Sequence, residues 1–301
     1  LQNLSNTISQ TTRAQGNDMK LPQPTISALA TLCSALLLGV ASSTYAFTSG
    51  VNAEDYDGRP MLIYVPSHLP AQGSRALVVV LHGGLGNARR IESRQSESAL
   101  NMDAVALEAG FIVAYFNGTP VTRRFGADRL GWNAGGGCCG LSAANNVDDV
   151  GYLKRAIQAL VAQYGIDPAH IYGIGHSNGA MMTQRVMCET GMYAAAVAIS
   201  GPLNLPNGAC NAARGKKVLA IHGADDANVP VQGGQGTKGL SRAVYNSEER
   251  SQEIFQNAGA SYSLQIVPHT DHELDHIQAA IERTEGLTLA GKAAKFFGLL
   301  D

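Results

Sequence analysis

Gly175-His176-Ser177-Asn178-Gly179 lies between an apolar segment, His170-Ile171-Tyr172-Gly173-Ile174, and a run that turns helical near Ala180-Met181-Met182. The apolar segment predicts a short strand, so the five residues occupy a strand-to-helix turn. A serine at the centre of such a Gly-x-Ser-x-Gly bend has its hydroxyl lifted to the tip, where a carbonyl carbon can reach it. Glycine on each side answers a steric need, because a side chain there would run into the adjoining strand or helix. Ser177 is therefore the candidate nucleophile. The bare pattern is common in loops; its placement between strand and helix gives it weight.

Outward from this turn the chain alternates strands and helices. Met61-Leu62-Ile63-Tyr64-Val65 predicts an early strand. Ala76-Leu77-Val78-Val79-Val80-Leu81 is continuously apolar, as in a strand covered on both faces. Phe111 to Phe116, Ala195-Val197-Ile199, Val218 to Ile221 and Tyr262-Leu264-Ile266 predict further strands. A helix is expected from Val147, with Val147, Val150, Leu153, Ile157 and Val161 on one face, and C-terminal helices run through Phe297. This alternation predicts an α/β fold, a mostly parallel twisted sheet with helices on both faces. No repeat or Pro-rich linker interrupts it, so residues 47–301 are expected to form one catalytic domain.

The chain has 301 residues and a formal charge of -2, so no basic field points to nucleic acid. Met19-Lys20, the apolar run Ile26 to Val40 and the small-residue site Thr44-Tyr45-Ala46 have the layout of a secretory signal peptide, expected over residues 19–46. The apolar run is shorter than the roughly 20 residues that cross a bilayer, so no stable membrane anchor is expected. Residues 1–18 read as an upstream remnant. A secreted monomer, extracellular or periplasmic, is the expectation. Cys33 sits in the apolar run, which leaves Cys138, Cys139, Cys188 and Cys210. In an exported chain an even number favours disulfides. Adjacent cysteines rarely bridge each other, so Cys138 and Cys139 are expected to reach Cys188 and Cys210, in either order.

Serine needs an imidazole base, and the base needs a carboxylate that fixes its tautomer. After the strand ending near Ile221, His222-Gly223-Ala224-Asp225-Asp226-Ala227-Asn228-Val229-Pro230 offers two aspartates, of which Asp226, three residues ahead of Val229, is favoured over Asp225. Beyond the last strand, Pro268-His269-Thr270-Asp271-His272-Glu273-Leu274-Asp275-His276 offers three histidines. His272, just ahead of a helix, is favoured, with His269 next. Donors for a developing oxyanion are expected from the backbone of Gly84, in Leu81-His82-Gly83-Gly84-Leu85-Gly86, and of Asn178, with Leu85 as the substitute if the loop register differs. The glycine-rich stretch Gly131 to Gly140 contains the chain's one tryptophan, Trp132, a candidate for lining a substrate cleft or for anchoring the loop. No metal or cofactor is expected: His-Glu-x-x-His spacing is absent, and Gly83 to Gly86 lacks the Lys-Ser/Thr of a phosphate loop.

The order Ser, Asp, His along the chain is that of α/β-hydrolases. Together with Gly131-Trp132-Asn133, Cys138-Cys139-Gly140 and Val147-Asp148-Asp149-Val150, these motifs resemble secreted esterases of the polyhydroxybutyrate depolymerase, feruloyl esterase and acetylxylan esterase group. The similarity runs from about Arg59 to the C-terminus. It implies an α/β-hydrolase fold, an ester substrate, and Ser177, Asp226 and His272 as the triad. Two departures stand out. Phe116 replaces a proline found in many members, and the Gly-His-x-Trp-Pro segment that carries their histidine is absent.

Overall fold

Arg75–Leu81 is apolar along its length because both of its faces are covered. Alternate residues enter two separate cores: Leu77, Val79 and Leu81 on one side, Ala76, Val78 and Val80 on the other. The computed structural model describes residues 47–301 except 94, 96–99, 124–127, 206–207, 209 and 239–242. The expected signal peptide, the remnant before it and Cys33 lie outside the described residues.

The strands are β1 (Gly50–Tyr56), β2 (Arg59–Val65), β3 (Arg75–Leu81), β4 (Ile112–Phe116), β5 (Thr119–Pro120), β6 (Leu130–Gly131), β7 (Ile166–His176), β8 (Ala195–Ile199), β9 (Lys217–Gly223), β10 (Gly234–Gln235), β11 (Val244–Tyr245) and β12 (Ser261–Val267). Eight of them form one sheet in the order β1-β2-β4-β3-β7-β8-β9-β12, while β5 with β6 and β10 with β11 make two short ribbons. Pairing is antiparallel from β1 to β4 and parallel from β4 to β12. The helices are α1 (Ala88–Glu92), α2 (Asp103–Ala109), α3 (Gly140–Ala144), α4 (Asp149–Tyr164), α5 (Asn178–Thr190), α6 (Glu248–Asn257), α7 (Leu274–Glu285) and α8 (Leu289–Phe297). One face of the sheet packs on α4, α5 and α6 through Leu153, Ile157, Met181, Val186 and Phe255, and the other on α1, α2, α7 and α8 through Ile91, Ala106, Ile277 and Phe297. This is the α/β-hydrolase architecture expected.

Several local expectations change. The helix expected from Val147 starts at Asp149, because the Asp148 carboxylate accepts a 2.8 Å bond from Gly151 N–H and caps it there. The edge strand β1 and helix α6 were not legible as apolar patterns; β1 alternates half-buried and exposed residues, and α6 buries only Glu248, Ser251, Ile254 and Phe255. The disulfides are also paired differently. Cys138 bonds to its neighbour Cys139, across a cis peptide, and Cys188 on α5 bonds to Cys210. Cys188 and Cys210 are close because Ala212 N–H donates to the Cys188 carbonyl, at 3.1 Å, which folds the segment after β8 against the end of α5.

Parallel register brings one set of strand ends to one edge of the sheet. Leu81 lies opposite Gly175, His176 opposite Ile199, and Val267 opposite Gly223. The segments leaving these ends carry the candidates named above, on loops or, for Asn178 and His276, in the first turn of the helix that follows, while Trp132 arrives on the loop after β6. That edge is where open α/β sheets hold their ligands.

Candidate active site

Ser177 has φ +55° and ψ -123°, outside the regions a side chain prefers, and immediately precedes α5. The bend is tight. A Cβ on Gly175 would strike the Gly179 carbonyl, and one on Gly179 would strike the carbonyls of Leu81 and His82. Ser177 N–H donates to Ile199 O at 2.8 Å, which ties the bend to β8 and fixes where the hydroxyl sits.

His272 follows β12 in the short turn before α7. Its Nε2 lies 2.9 Å from Ser177 Oγ and its Nδ1 2.6 Å from Asp226 Oδ2. With Nδ1–H donating to the carboxylate, Nε2 is free to accept the serine proton. Asp226 Oδ1 accepts the N–H groups of Asn228 and Val229, each at 2.8 Å, so this carboxylate is fixed at both oxygens. Burial works against its charge, yet the bonds from His222, His272 and Val229 and the His272 charge prevail. They hold the Asp226 carboxyl well below the usual carboxylate range. The structure thus brings Ser177, His272 and Asp226 together and leaves the alternatives apart. Asp225 and His269 are exposed, and His276 on α7 pairs with Asp271 at 2.8 Å.

The opposite wall is built from neutral groups. His82, at the end of β3, donates Nδ1–H to Gly83 O at 2.8 Å and accepts from Gly118 N–H at Nε2, 3.1 Å. Gly86 N–H also donates to Gly83 O, at 3.1 Å, closing a turn over Gly84 and Leu85, the latter at φ +66°. A Cβ on Gly84 would lie 3.9 Å from the Asn178 Cβ, so the two candidate oxyanion donors are neighbours. As the first residue of α5, Asn178 has an N–H with no acceptor inside its helix. Burial pushes the His82 imidazolium down to a pKa of about 4, against a smaller opposing pull from Gly83 O, so the ring is neutral at pH 7.

The Asn178 side chain has a structural task that sequence reasoning missed. Its Oδ1 accepts Trp132 N–H at 2.7 Å, and its Nδ2 donates to Trp132 O at 3.1 Å and faces Cys138 Sγ at 3.5 Å. The loop from Gly131 to Gly140 is thereby clipped to the elbow. Trp132 is the correction here. It is fully buried, donates its indole N–H to His82 O at 2.9 Å, and lies tilted against the His82 ring with centroids 5.1 Å apart. An indole enclosed in this way anchors the loop and presents no surface to a substrate. Asn133 extends the anchor: its N–H donates to Asp149 at 2.7 Å, Asp149 also takes Arg59, and Arg185 donates to Asn133 O at 2.7 Å.

Four more side chains stand behind the site and were not singled out from sequence. His176 Nε2–H donates to the His272 carbonyl at 2.9 Å; burial first, then the His272 charge, push its pKa down to about 3. His222 places Nε2 3.0 Å from Asp226 Oδ2 and Nδ1 2.7 Å from Glu248 Oε1. Tyr262 donates its hydroxyl to Glu248 Oε2 at 2.6 Å. Among the described residues no cluster of His, Cys, Asp and Glu has a composition to hold a metal, and no helix is long and apolar enough to cross a membrane.

The phospholipase/carboxylesterase family model matches residues 68–270, most of the chain, and includes two of the three hydrogen-bonded residues, Ser177 and Asp226; His272 lies two residues beyond. The chain belongs to the phospholipase/carboxylesterase family. A curated relative, named "Putative esterase NocK", of Nocardia uniformis subsp. tsuyamanensis, is 32% identical over 160 residues, 53% of this chain. The match spans 42% of that relative's length. Among solved structures, an acetyl xylan esterase from Aspergillus awamori superposes with a TM-score of 0.54 at 14% identity, covering 84% of this chain and 100% of the other. A puromycin-hydrolyzing peptidase of Mycobacterium tuberculosis gives 0.54 at 19% identity, over 78% and 38%. At these identities the structural likeness establishes the fold alone.

Proposed function

We propose that this chain is an exported serine carboxylester hydrolase of the polyhydroxybutyrate depolymerase type, working through an acyl-enzyme. The observation that carries the reading is the unbroken hydrogen-bonded chain from Ser177 Oγ through His272 to Asp226. Membership of the phospholipase/carboxylesterase family supports the ester as substrate class.

In this reading Ser177 Oγ attacks the ester carbonyl carbon while its proton passes to His272 Nε2. The imidazolium is held by Asp226. The carbonyl oxygen becomes an oxyanion facing the N–H groups of Gly84 and Asn178, each such donor being worth roughly 10²–10³ in kcat. Collapse breaks the bond to the alkoxide leaving group, which takes the proton from His272. Water, deprotonated by the same nitrogen, then attacks the acyl-enzyme and returns Ser177 to its starting state. No step requires a metal or an organic cofactor.

Hydrolysis of a short p-nitrophenyl ester by the wild type and by Ser177→Ala tests the reaction. The substitution is expected to lower kcat at least about 10⁴-fold; equal turnover by the two proteins would overturn it. A panel of hydroxybutyrate oligomers, feruloyl esters and acetylated xylan then ranks the acyl groups, with the oligomers expected to be favoured. Export rests on the leader-like residues 19–46 and on the two disulfides; finding the protein in the cytoplasm of its host would contradict it.

A further inference from the structure

We propose that His222, locked by Glu248, is a positioning residue that divides the charge of Asp226 and so keeps His272 a weaker base than an undivided carboxylate would make it. The inference rests on the Ser177, His272 and Asp226 reading given above. Its basis is a shared atom. Asp226 Oδ2 receives Nδ1–H of His272 at 2.6 Å and lies 3.0 Å from Nε2 of His222. The same His222 nitrogen is 2.8 Å from Val229 O, a carbonyl that can only accept, so this nitrogen must carry a proton.

The other ring nitrogen, Nδ1, faces Glu248 Oε1 at 2.7 Å. With Glu248 ionised, a neutral ring with its proton on Nε2 would set a bare nitrogen lone pair against a carboxylate oxygen, and both groups are buried. A proton on each nitrogen satisfies all three contacts. His222 is therefore an imidazolium between two carboxylates. Burial alone would pull its pKa down, but the bonds to Asp226 and Glu248 and their charges outweigh it and raise the pKa to about 9. Glu248 is held in turn by Tyr262 from β12. His222 comes from β9, so its cation approaches Asp226 from the sheet while His272 approaches from the loop after β12.

Other ionisable groups do not provide this balance. His272 is also faced by His176 from β7, which is neutral and bonds its carbonyl rather than its ring. Asp271 and Glu273 flank His272 on its own loop, and Asp271 is occupied by His276. What remains is a triplet, Glu248 negative, His222 positive and Asp226 negative, in which the cation is the member nearest Asp226.

Three measurements separate this role from mere support. In His222→Gln the amide can still donate to Asp226 but carries no charge, so His272 gains affinity for its proton. The acid limb of kcat/KM should then move up by about one pH unit, with KM nearly unchanged. Glu248→Gln should move the limb in the same direction by less, because His222 then loses one of the two carboxylates that hold its second proton. If both variants fold and the limb stays at the wild-type position, the inference is wrong. Should either variant fail to fold, the wild type still decides. Nitrogen-15 histidine spectra at pH 7 should show both ring protons on His222, titrating near pH 9, and a ring with one proton would overturn the proposal. That spectrum is independent of ester turnover, so an inactive wild type would count against the hydrolase reading and not against this one.

Discussion

On the side of Ser177 that carries Gly84 and Asn178, the supporting side chains are neutral: His82, Trp132 and the Asn178 amide hold the backbone through ordinary hydrogen bonds. Behind His272 the supports are ionic, with Glu248, His222 and Asp226 buried in a row. The difference follows from what each wall has to meet. An oxyanion needs fixed N–H dipoles, and neutral side chains can set a backbone without adding a field of their own. An imidazole that gains and loses a proton needs a nearby negative charge of controlled strength. The two walls therefore respond differently to substitution and to pH.

The largest effect is expected on the ionic wall. Asp226→Asn keeps the shape but offers His272 the wrong tautomer, and kcat on a p-nitrophenyl ester should fall by about 10⁴-fold with KM little changed. A loss below tenfold would mean that the carboxylate serves only to hold the loop. On the neutral wall, Asn178→Ala removes the clip on Trp132 while keeping the backbone N–H. It leaves the buried Trp132 N–H unpaired, at a cost of about 1–3 kcal/mol, while Trp132 O keeps its 3.0 Å bond from Cys139 N–H. Thermal melting should drop, and kcat should fall by about 10–100-fold as the donor moves out of line. Unchanged kcat in a destabilised protein would detach the clip from catalysis.

The pH dependence of stability should sort the two walls. His82 and His176 have folded pKa values of about 4 and about 3, below the 6.5 of the free side chain. The unfolded chain therefore binds more protons in acid, and the stability these rings leave intact above pH 6.5 is lost progressively as pH falls toward those values. His222 behaves in the opposite sense. With its folded pKa raised to about 9, its contribution is complete below 6.5 and is lost as pH rises through 9. Urea midpoints measured from pH 4 to pH 10 should pass through a maximum near neutrality. A midpoint still rising beyond pH 9 would contradict a charged His222. The smallest effect on turnover is expected from Trp132→Phe, which removes the indole donor to His82 O and leaves a small void in a fully buried site, costing about 1–3 kcal/mol, read by denaturant unfolding. Its ester preferences should match the wild type, since the ring faces no substrate; a changed ranking of acyl groups would restore Trp132 to the cleft.

Much of this was legible in the chain itself. The elbow could be read because Gly175, Ser177 and Gly179 meet a local steric demand, and the central strands because β3 and β4 are buried on both faces. Asp226 could be favoured because it stands three residues ahead of Val229 after a strand end, and His272 because it lies just ahead of a helix. The rest depended on distant contacts. Glu248 sits in the first turn of a polar helix, where a carboxylate ordinarily faces solvent and the positive helix end, yet here it is turned inward to His222. The bond between Cys138 and Cys139 ran against the usual geometry of adjacent residues, and nothing in the spacing of the four cysteines favours one partner over another. Trp132 offered two readings until its indole was placed under the elbow. The edge strand β1 pairs with β2 along its whole length but carries no apolar stripe to announce it.

Reaction of the folded protein with a fluorophosphonate, followed by peptide mass spectrometry, tests the nucleophile most directly. One phosphonyl group on Ser177, formed quickly in the wild type and far more slowly in Asp226→Asn, is the expected result. A folded protein that stays unlabelled, or carries the adduct on another residue, would contradict the assignment.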